Sequence, residues 1–268
     1  TIRISMQIFK FELKKQLLSV LIWTVVIVAL QWLLIEGFYP VFLDSKVTMQ
    51  ELINGFPPEF LKAFGFNLDD IFSFPSYTSM TFLYLSIFAS IMSTTNTLSI
   101  FAREKQNKCQ DFLFSKPLKR SKVFTQKLLA SLVSLVILNI PYLLLFYYSI
   151  SKYVGEVNNS LIQNSLGLFF TQLWFMALAI FLAIYLKWIR SSAGMGTSVG
   201  LFAFLLSAVY SLTEKDIFKY FAPLNYFSPN AIIMNGHYDT GSVIMAIGTF
   251  ILLLGLSYYK FVRNDIKD

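Results

Sequence analysis

The sequence predicts an all-α membrane protein, and three observations lead to that fold class. Hydrophobic residues make up 56% of the 268 residues and charged residues only 14%, whereas a soluble domain carries about 25% charged residues. Six apolar stretches approach the roughly 20 residues that cross a bilayer as a helix. These stretches are continuous and do not alternate with polar residues, which excludes a transmembrane β-barrel.

The distribution of charge predicts the topology. If the N-terminus lies inside, 17 of the 22 Lys and Arg residues fall on the inner side and 5 on the outer side. The acidic residues are distributed the other way, with 5 inside and 10 outside. This positive-inside pattern predicts six spans with both termini in the cytoplasm. It also accounts for the net charge of +7 without a nucleic-acid partner.

We expect one transmembrane domain over residues 1–268, held in the lipid bilayer of a cytoplasmic membrane. The six spans are predicted at residues 17–35, 77–102, 128–150, 164–186, 193–212 and 242–262. Residues 3–16 mix Ile and Phe with Lys and Arg, which predicts an amphipathic interfacial helix before the first span. The aromatic stretch 213–240 contains prolines, which predict short re-entrant or outer helices before the sixth span.

An outer loop is predicted over residues 44–76. Within it, Pro57 and Pro58 open a short amphipathic helix that Gly65 closes. A connection of this length is uncommon unless it has a role of its own. The short helix either seals the outer mouth of a pathway or forms a lid without substrate contact, and both interpretations are open.

Polar residues in the second predicted span share one face of the helix. Steps of seven, four, three and four residues separate Ser79, Ser86, Ser90, Ser93 and Thr97, and Asn96 lies beside them. These residues, with Asn139 in the third span, either support close helix packing or line a translocation path, and in neither case do they face lipid. In the fifth span, Gly196 and Gly200 predict another close packing face.

Residues 103–127 form the only long, densely charged run in the chain. Eight Lys and Arg residues alternate there with apolar residues, and Pro117 predicts two short helices with a bend between them. A solvated basic loop would account for the charge alone. The interleaved apolar residues favour a surface that docks on a partner: Phe112, Leu113, Phe114, Leu118, Val123 and Phe124.

The sequence contains no recognisable set of catalytic or metal-binding residues. One cysteine, Cys109, and one histidine, His237, cannot form an intrachain disulfide or a cysteine or histidine metal cluster. Ion-driven transporters usually carry ionisable residues at mid-bilayer, but Glu36 is the only acid near a predicted span and lies at its end. We therefore expect a chain that is not an enzyme by itself and that takes its energy from a partner.

The order of these features resembles the permease subunits of bacterial ABC-2-type ABC transporters over nearly the whole chain. The motifs that carry the resemblance are Glu12-Leu13-Lys14, the segment from Glu104 through Asp111 and Pro117 to Arg120 and Lys127, and the terminal Arg263-x-Asp265. In that family the segment between spans two and three forms the coupling helix, which rests in a groove of the ATPase. Cys109 or a neighbour stands where the family commonly has glycine.

The resemblance implies an exporter with two permease chains, identical or paralogous, and two separate ABC ATPase subunits. ATP and Mg would act through the ATPases, and this chain would bind no cofactor. The implied coupling residues are Glu104, Asp111, Phe112, Leu113, Phe114, Lys116, Pro117, Leu118, Lys119 and Arg120.

Aromatic, hydroxyl-bearing spans with few charges suit amphipathic peptides or other lipophilic compounds as cargo. Two alternatives from other classes are an intramembrane enzyme and an ATP-independent membrane sensor or transporter. The first would need a nucleophile with its base or a metal set, and a sensor would need a soluble output domain.

Overall fold

The computed structural model of the chain describes residues 2–64, 66, 71–107, 119–155, 159–213 and 216–263. Every regular element in these ranges is helical, which confirms the predicted all-α class. Within the described ranges, five helical segments are long and apolar enough to cross a membrane: Gln7–Asp44, Arg120–Tyr153, Ser160–Tyr185, Ser192–Thr213 and Thr240–Arg263.

The second predicted span is a helix, α5 (Phe74–Phe101), but it is not among those five segments. It contains no charged residue, yet twelve of its 28 residues are Ser, Thr or Asn, and these polar side chains lower its mean hydropathy. Most of α5 is buried, and it packs against the first long helix and against two later ones. Length and apolarity therefore support five membrane-spanning segments among the described residues, and the sixth predicted span stays a prediction.

The first long helix does not contain the separate interfacial helix that we predicted. Helix α1 is continuous over Ile2–Trp32, and no Gly or Pro lies in that range to interrupt it. The chain then passes through a π-helical turn, Leu33–Phe38, into α2 (Tyr39–Asp44). Pro40 has no N–H to bond the carbonyl of residue 36, which accounts for the widened turn. The chain is therefore helical beyond residue 35, where the first span is predicted to end.

Two short helices occupy the predicted outer loop, α3 (Lys46–Asn54) and α4 (Pro58–Ala63). Gly65, the predicted end of the second one, lies outside the described residues. At the same end of the bundle, the buried carboxylate of Glu36 accepts hydrogen bonds from Ser149 Oγ at 2.8 Å and from Lys152 Nζ at 2.6 Å. These bonds join the end of the first helix to the end of α7 (Arg120–Tyr153).

Helix α7 begins at Arg120 and passes without a break through residue 128, where the third span is predicted to begin. The last eight residues of the charged run 103–127 therefore belong to this long helix. No Gly or Pro lies between residues 118 and 127 to interrupt a helix, and apolar side chains of this stretch pack in the core. Val123 and Phe124 are buried, and the Phe124 ring lies 5.5 Å from that of Phe101. The prediction that these two residues belong to an exposed docking surface is wrong.

The remaining long helices are α8 (Asn159–Tyr185), α9 (Ser192–Thr213) and α12 (Thr240–Arg263). Short helices lie between α9 and α12, in the region where we predicted them: α10 (Asp216–Lys219), a 3-10 turn (Pro223–Asn225) and α11 (Pro229–Asn235). Asp239 caps α12 by accepting a hydrogen bond from the Ser242 N–H at 2.8 Å. It also pairs with Lys219 at 2.9 Å.

Helices α5 and α9 approach closely at Gly196 and Gly200. A Cβ atom at Gly196 would overlap Thr95 Oγ1 and lie 3.0 Å from the Thr95 backbone nitrogen. A Cβ atom at Gly200 would overlap Ile91 Cγ1. Because the obstacle at Gly196 includes backbone, the two helices would have to separate to admit a larger residue.

We expect Gly196→Ala to lower the free energy of unfolding by about 1–3 kcal/mol, the usual cost of overpacking. The matched control is Gly248→Ala in α12, where nothing lies within 4 Å of the added Cβ. Alanine favours a helix over glycine by up to about 1 kcal/mol, so the control should keep or raise stability. Denaturant titration in detergent measures both variants, and equal stability of the two would contradict the close approach.

The Lys219–Asp239 pair should make stability depend on acid pH. Burial raises the pKa of Asp239, but hydrogen bonds from Lys219 and Ser242 outweigh it and leave the pKa at about 2, below the ordinary 3.8. A folded pKa below the unfolded one means that the stabilisation is complete above pH 3.8 and is lost as the pH falls toward 2. Asp239→Asn keeps a capping side chain but loses the charge. The difference in thermal midpoint between wild type and Asp239→Asn should therefore shrink with acidification, and a difference that grows would contradict this account.

Candidate functional site: a hub of buried charges at α6

A four-residue helix, α6 (Arg103–Gln106), follows directly after α5 at the end of the bundle that is predicted to face the cytoplasm. Successive residues of an α-helix point about 100° apart, so four consecutive side chains point in four directions. Each of the four contacts a different part of the bundle. We call these residues the α6 hub.

The first contact of the hub is with α1. The guanidinium of Arg103 donates a hydrogen bond to the carboxylate of Glu12. Glu12 is almost fully buried, with 2% of its surface exposed. The Phe11 ring covers the other side of Arg103, with its centroid 5.9 Å from the guanidinium carbon.

The second contact is with α7, through Lys127. Lys127 Nζ donates to both carboxylate oxygens of Glu104 at 2.6 Å and to the carbonyl of Ile100 at 2.7 Å, and it lies 3.7 Å from Glu12. Only 1% of Lys127 is exposed. Two cations and two carboxylates therefore form one compact, electrically neutral cluster that joins α1, α5, α6 and α7.

The third and fourth contacts of the hub are with the end of α8 and the beginning of α9. Lys105 Nζ donates to the carbonyls of Ala183 at 2.8 Å, Ile184 at 3.1 Å and Leu186 at 3.2 Å. These are the carbonyls that the last turn of a helix leaves without an internal partner, and a cation there also favours the helix dipole. Gln106 Nε2 donates to Ser192 Oγ, at the first residue of α9, at 3.0 Å.

Next to the hub, an amide network extends the connection between α1 and α5. Asn96 Oδ1 accepts hydrogen bonds from Gln16 Nε2 at 3.2 Å and from Ser19 Oγ at 2.9 Å. Gln16 also donates to the Asn96 carbonyl at 3.1 Å. Three polar contacts thus fix the face of α5 that continues from the hub into the bundle.

The predicted polar stripe of α5 lies inside the bundle. All of its members are buried: Ser79, Ser86, Ser90, Ser93, Asn96 and Thr97. Ser86 and Ser90 donate to carbonyls of α5 itself, and Ser93 donates to the Gln172 carbonyl of α8 at 2.6 Å. Asn139 donates to the Gln172 side chain, so these contacts pack α5, α7 and α8 together.

The predicted coupling residues fall into two groups. Seven lie outside the described residues: Asp111, Phe112, Leu113, Phe114, Lys116, Pro117 and Leu118. Of the other three, Glu104 is part of the hub, Lys119 is exposed just before α7, and Arg120 is the first residue of α7. In the terminal motif, Arg263 ends α12 and Asp265 lies outside the described residues.

Sequence analysis missed most of the hub as a site. Three hub residues lie at the ends of sequence motifs or charged runs, namely Glu12, Arg103 and Lys127, but the sequence pattern does not indicate that they contact one another. Lys105 and Gln106 do not stand out in the sequence. One signal was available, because Glu12 is a lone acid among Lys10, Lys14 and Lys15. Among the described residues, no three His, Cys, Asp or Glu side chains come together in a way that could hold a metal ion.

We expect Lys127→Met to lower the free energy of unfolding by about 3 kcal/mol, because it leaves Glu104 and Glu12 short of a buried positive charge. Lys119→Met changes the same side chain at an exposed position and should cost little. Adding Glu104→Gln to Lys127→Met should recover part of the loss, and a double-mutant cycle in detergent measures that coupling. Additive losses would show that the two side chains do not interact.

No family model matches the chain, no curated protein matches its sequence and no solved structure matches its fold. The functional interpretation therefore rests on the contacts of the α6 hub and on the order of charged and apolar segments along the chain.

Proposed function

We propose that the chain is the transmembrane permease subunit of a bacterial ATP-driven exporter of the ABC-2 type. Two such chains, identical or paralogous, would form the path in the cytoplasmic membrane, with α5 as the sixth span, and two separate ATPase subunits would drive it. The observation that supports this most strongly is the α6 hub. It connects the beginning of the charged segment 103–127 to α1, to α7, to the end of α8 and to the first residue of α9.

The hub gives a physical route for coupling. A partner that pushes on segment 103–127 moves α6, and α6 is bound to Glu12 of α1, to Lys127 of α7, to the end of α8 and to Ser192 of α9. A close-packed interior transmits strain and has discrete arrangements. The helix ends would therefore move together as one body, and the far ends of the same helices would change their spacing.

The placement of buried charge supports an external source of energy. Among the described residues, the buried carboxylates and amines lie near the ends of the long helices: Glu12 and Lys127 in the hub, and the Glu36 side chain at the opposite end. Each has a partner of opposite charge within 4 Å. A proton- or ion-coupled carrier usually needs an ionisable group at mid-bilayer that changes its partner during the cycle.

The proposal includes a path lined by the α5 stripe when the helices separate, with amphipathic peptides or other lipophilic compounds as cargo. Some polar atoms on the stripe side of α5 are buried without a hydrogen-bond partner in the protein, Ser79 Oγ and Thr94 Oγ1 among them. Water could hydrogen-bond to these atoms if the helices moved apart, so a hydrated path would lower the cost of burying them.

Co-purification from detergent tests the proposal. An ABC ATPase should be isolated with the tagged chain, and Phe112→Asp/Phe114→Asp should lose both that partner and ATP-dependent transport while still inserting in the membrane, because a charge replaces each apolar contact. The matched control is Phe56→Asp/Phe60→Asp, at two exposed residues on the predicted outer side, which should keep the partner. A wild-type rate of ATPase stimulation in the first variant, or transport by the purified chain without ATP, would contradict the proposal.

A further inference from the structure

The turn between α8 and α9, residues 186–191, is held firmly but leaves three side chains exposed. The Leu186 carbonyl accepts a hydrogen bond from Lys105, and the side chain of Ile189 is buried. Lys187, Trp188 and Arg190 are exposed. Trp188 is exposed over 84% of its surface, the largest fraction among the exposed large hydrophobic residues of the described chain.

The end of α12 adds one cation beside this turn and a second one a helical turn further along α12. Lys260 Nζ lies 4.0 Å from the ring centroid of Tyr185, the last residue of α8. One turn of α12 further on, the Arg263 guanidinium lies 4.5 Å from the ring centroid of Tyr259. Lys105 lies beside the same turn, because its Nζ donates hydrogen bonds to the carbonyls of Ala183, Ile184 and Leu186. We call Lys187, Trp188, Arg190, Lys260 and Arg263 the basic corner.

The basic corner has no counter-charge in the described part of the chain. In the α6 hub a carboxylate faces both Arg103 and Lys127, whereas no described carboxylate lies within 4 Å of the four cations of the corner. Two of the four cations contact aromatic residues: Lys260 lies over the Tyr185 ring, and Arg263 lies over the Tyr259 ring and donates a hydrogen bond to its hydroxyl. Unbalanced positive charge attracts an anion from outside the protein.

We propose that the basic corner binds the headgroup phosphate of an anionic phospholipid in the leaflet around the α6 end of the bundle. The corner lies at the ends of α8, α9 and α12, which are each long and apolar enough to cross a membrane. Trp and Tyr prefer the headgroup level of a bilayer, so Trp188 would be solvated by lipid there. Lys and Arg supply the donors that a phosphate accepts. The inference does not depend on transport or on an ATPase.

Quenching of Trp188 by brominated lipid tests this site. The chain is reconstituted in vesicles of phosphatidylcholine and phosphatidylglycerol in which one or the other lipid carries brominated chains, and the Trp188→Phe variant supplies the background of the other tryptophans. Attraction of about 1 kcal/mol for each basic residue predicts that phosphatidylglycerol is enriched roughly fivefold or more around Trp188. Salt should weaken the enrichment, because it screens exposed charges.

Two variants that each lose two positive charges distinguish a lipid site at the basic corner from a general effect of the protein's net charge. Lys187→Gln/Arg190→Gln should abolish the enrichment, whereas Lys14→Gln/Lys15→Gln, at exposed positions of α1, should keep it. Equal quenching by both lipids in the wild type, or equal loss in both variants, would overturn the proposal. Quenching of Trp188 by acrylamide but by neither lipid would also overturn it, because Trp188 would then face water and be available to a soluble partner. So would loss of the enrichment in inorganic phosphate but not in chloride of equal ionic strength, because the corner would then bind free phosphate.

Discussion

Two carboxylates and two cations lie together where α1, α5, α6 and α7 meet, and the rest of the arrangement depends on their mutual compensation. Glu12 and Lys127 are buried, and Arg103 and Glu104 are largely covered, with 17% and 18% of their side chains exposed. Removing a single charge from water costs several kcal/mol, and only an opposite charge in good geometry offsets that cost. Lys127 is bound to Glu104 at 2.6 Å and lies near Glu12, which is bound to Arg103. None of these helices can move away alone without leaving an uncompensated charge behind. The cluster therefore makes this end of the bundle one mechanical unit.

The other end of the bundle is held differently. Among the described residues, the ion pairs at this end are Glu36–Lys152 and Lys219–Asp239. Only 6% of the Glu36 side chain is exposed, but 46% of the Lys152 side chain and 35% of the Asp239 side chain are exposed. Exposed pairs contribute little to stability, because water competes for both partners. Each pair at this end has one partner that water reaches, whereas the Lys127 and Glu12 side chains of the hub are each 2% exposed. The helices therefore separate more easily at the end away from the hub. A push on segment 103–127 would accordingly change the distances between the helices at the end of the bundle opposite α6.

Much of the fold follows from local sequence, because membrane-spanning helices are encoded by continuous apolar runs and small packing residues. Gly196 and Gly200 were assigned to a packing face from spacing alone, and the structure places them against α5. The continuity of α7 from Arg120 is not predicted by the sequence, because the charge density and Pro117 indicate a separate segment of two short helices, whereas Phe124 is buried and belongs to the long helix. The hub itself depends on pairs 23 and 91 residues apart, and no local pattern says which lysine meets which carboxylate. Tertiary contact decides that pairing.

Hydrogen exchange at α6 tests the central claim most directly. The amide N–H groups of Ala102, Gln106 and Asn107 donate to the carbonyls of Leu98, Ala102 and Arg103, and a hub held by buried ion pairs should keep these bonds closed. In the purified chain, a peptide covering residues 101–107 should exchange as slowly as the middle of α5, and Lys127→Met should make it fast. Exchange of that wild-type peptide at the rate of an exposed loop would contradict a rigid hub, and the proposed route of coupling would lose its support.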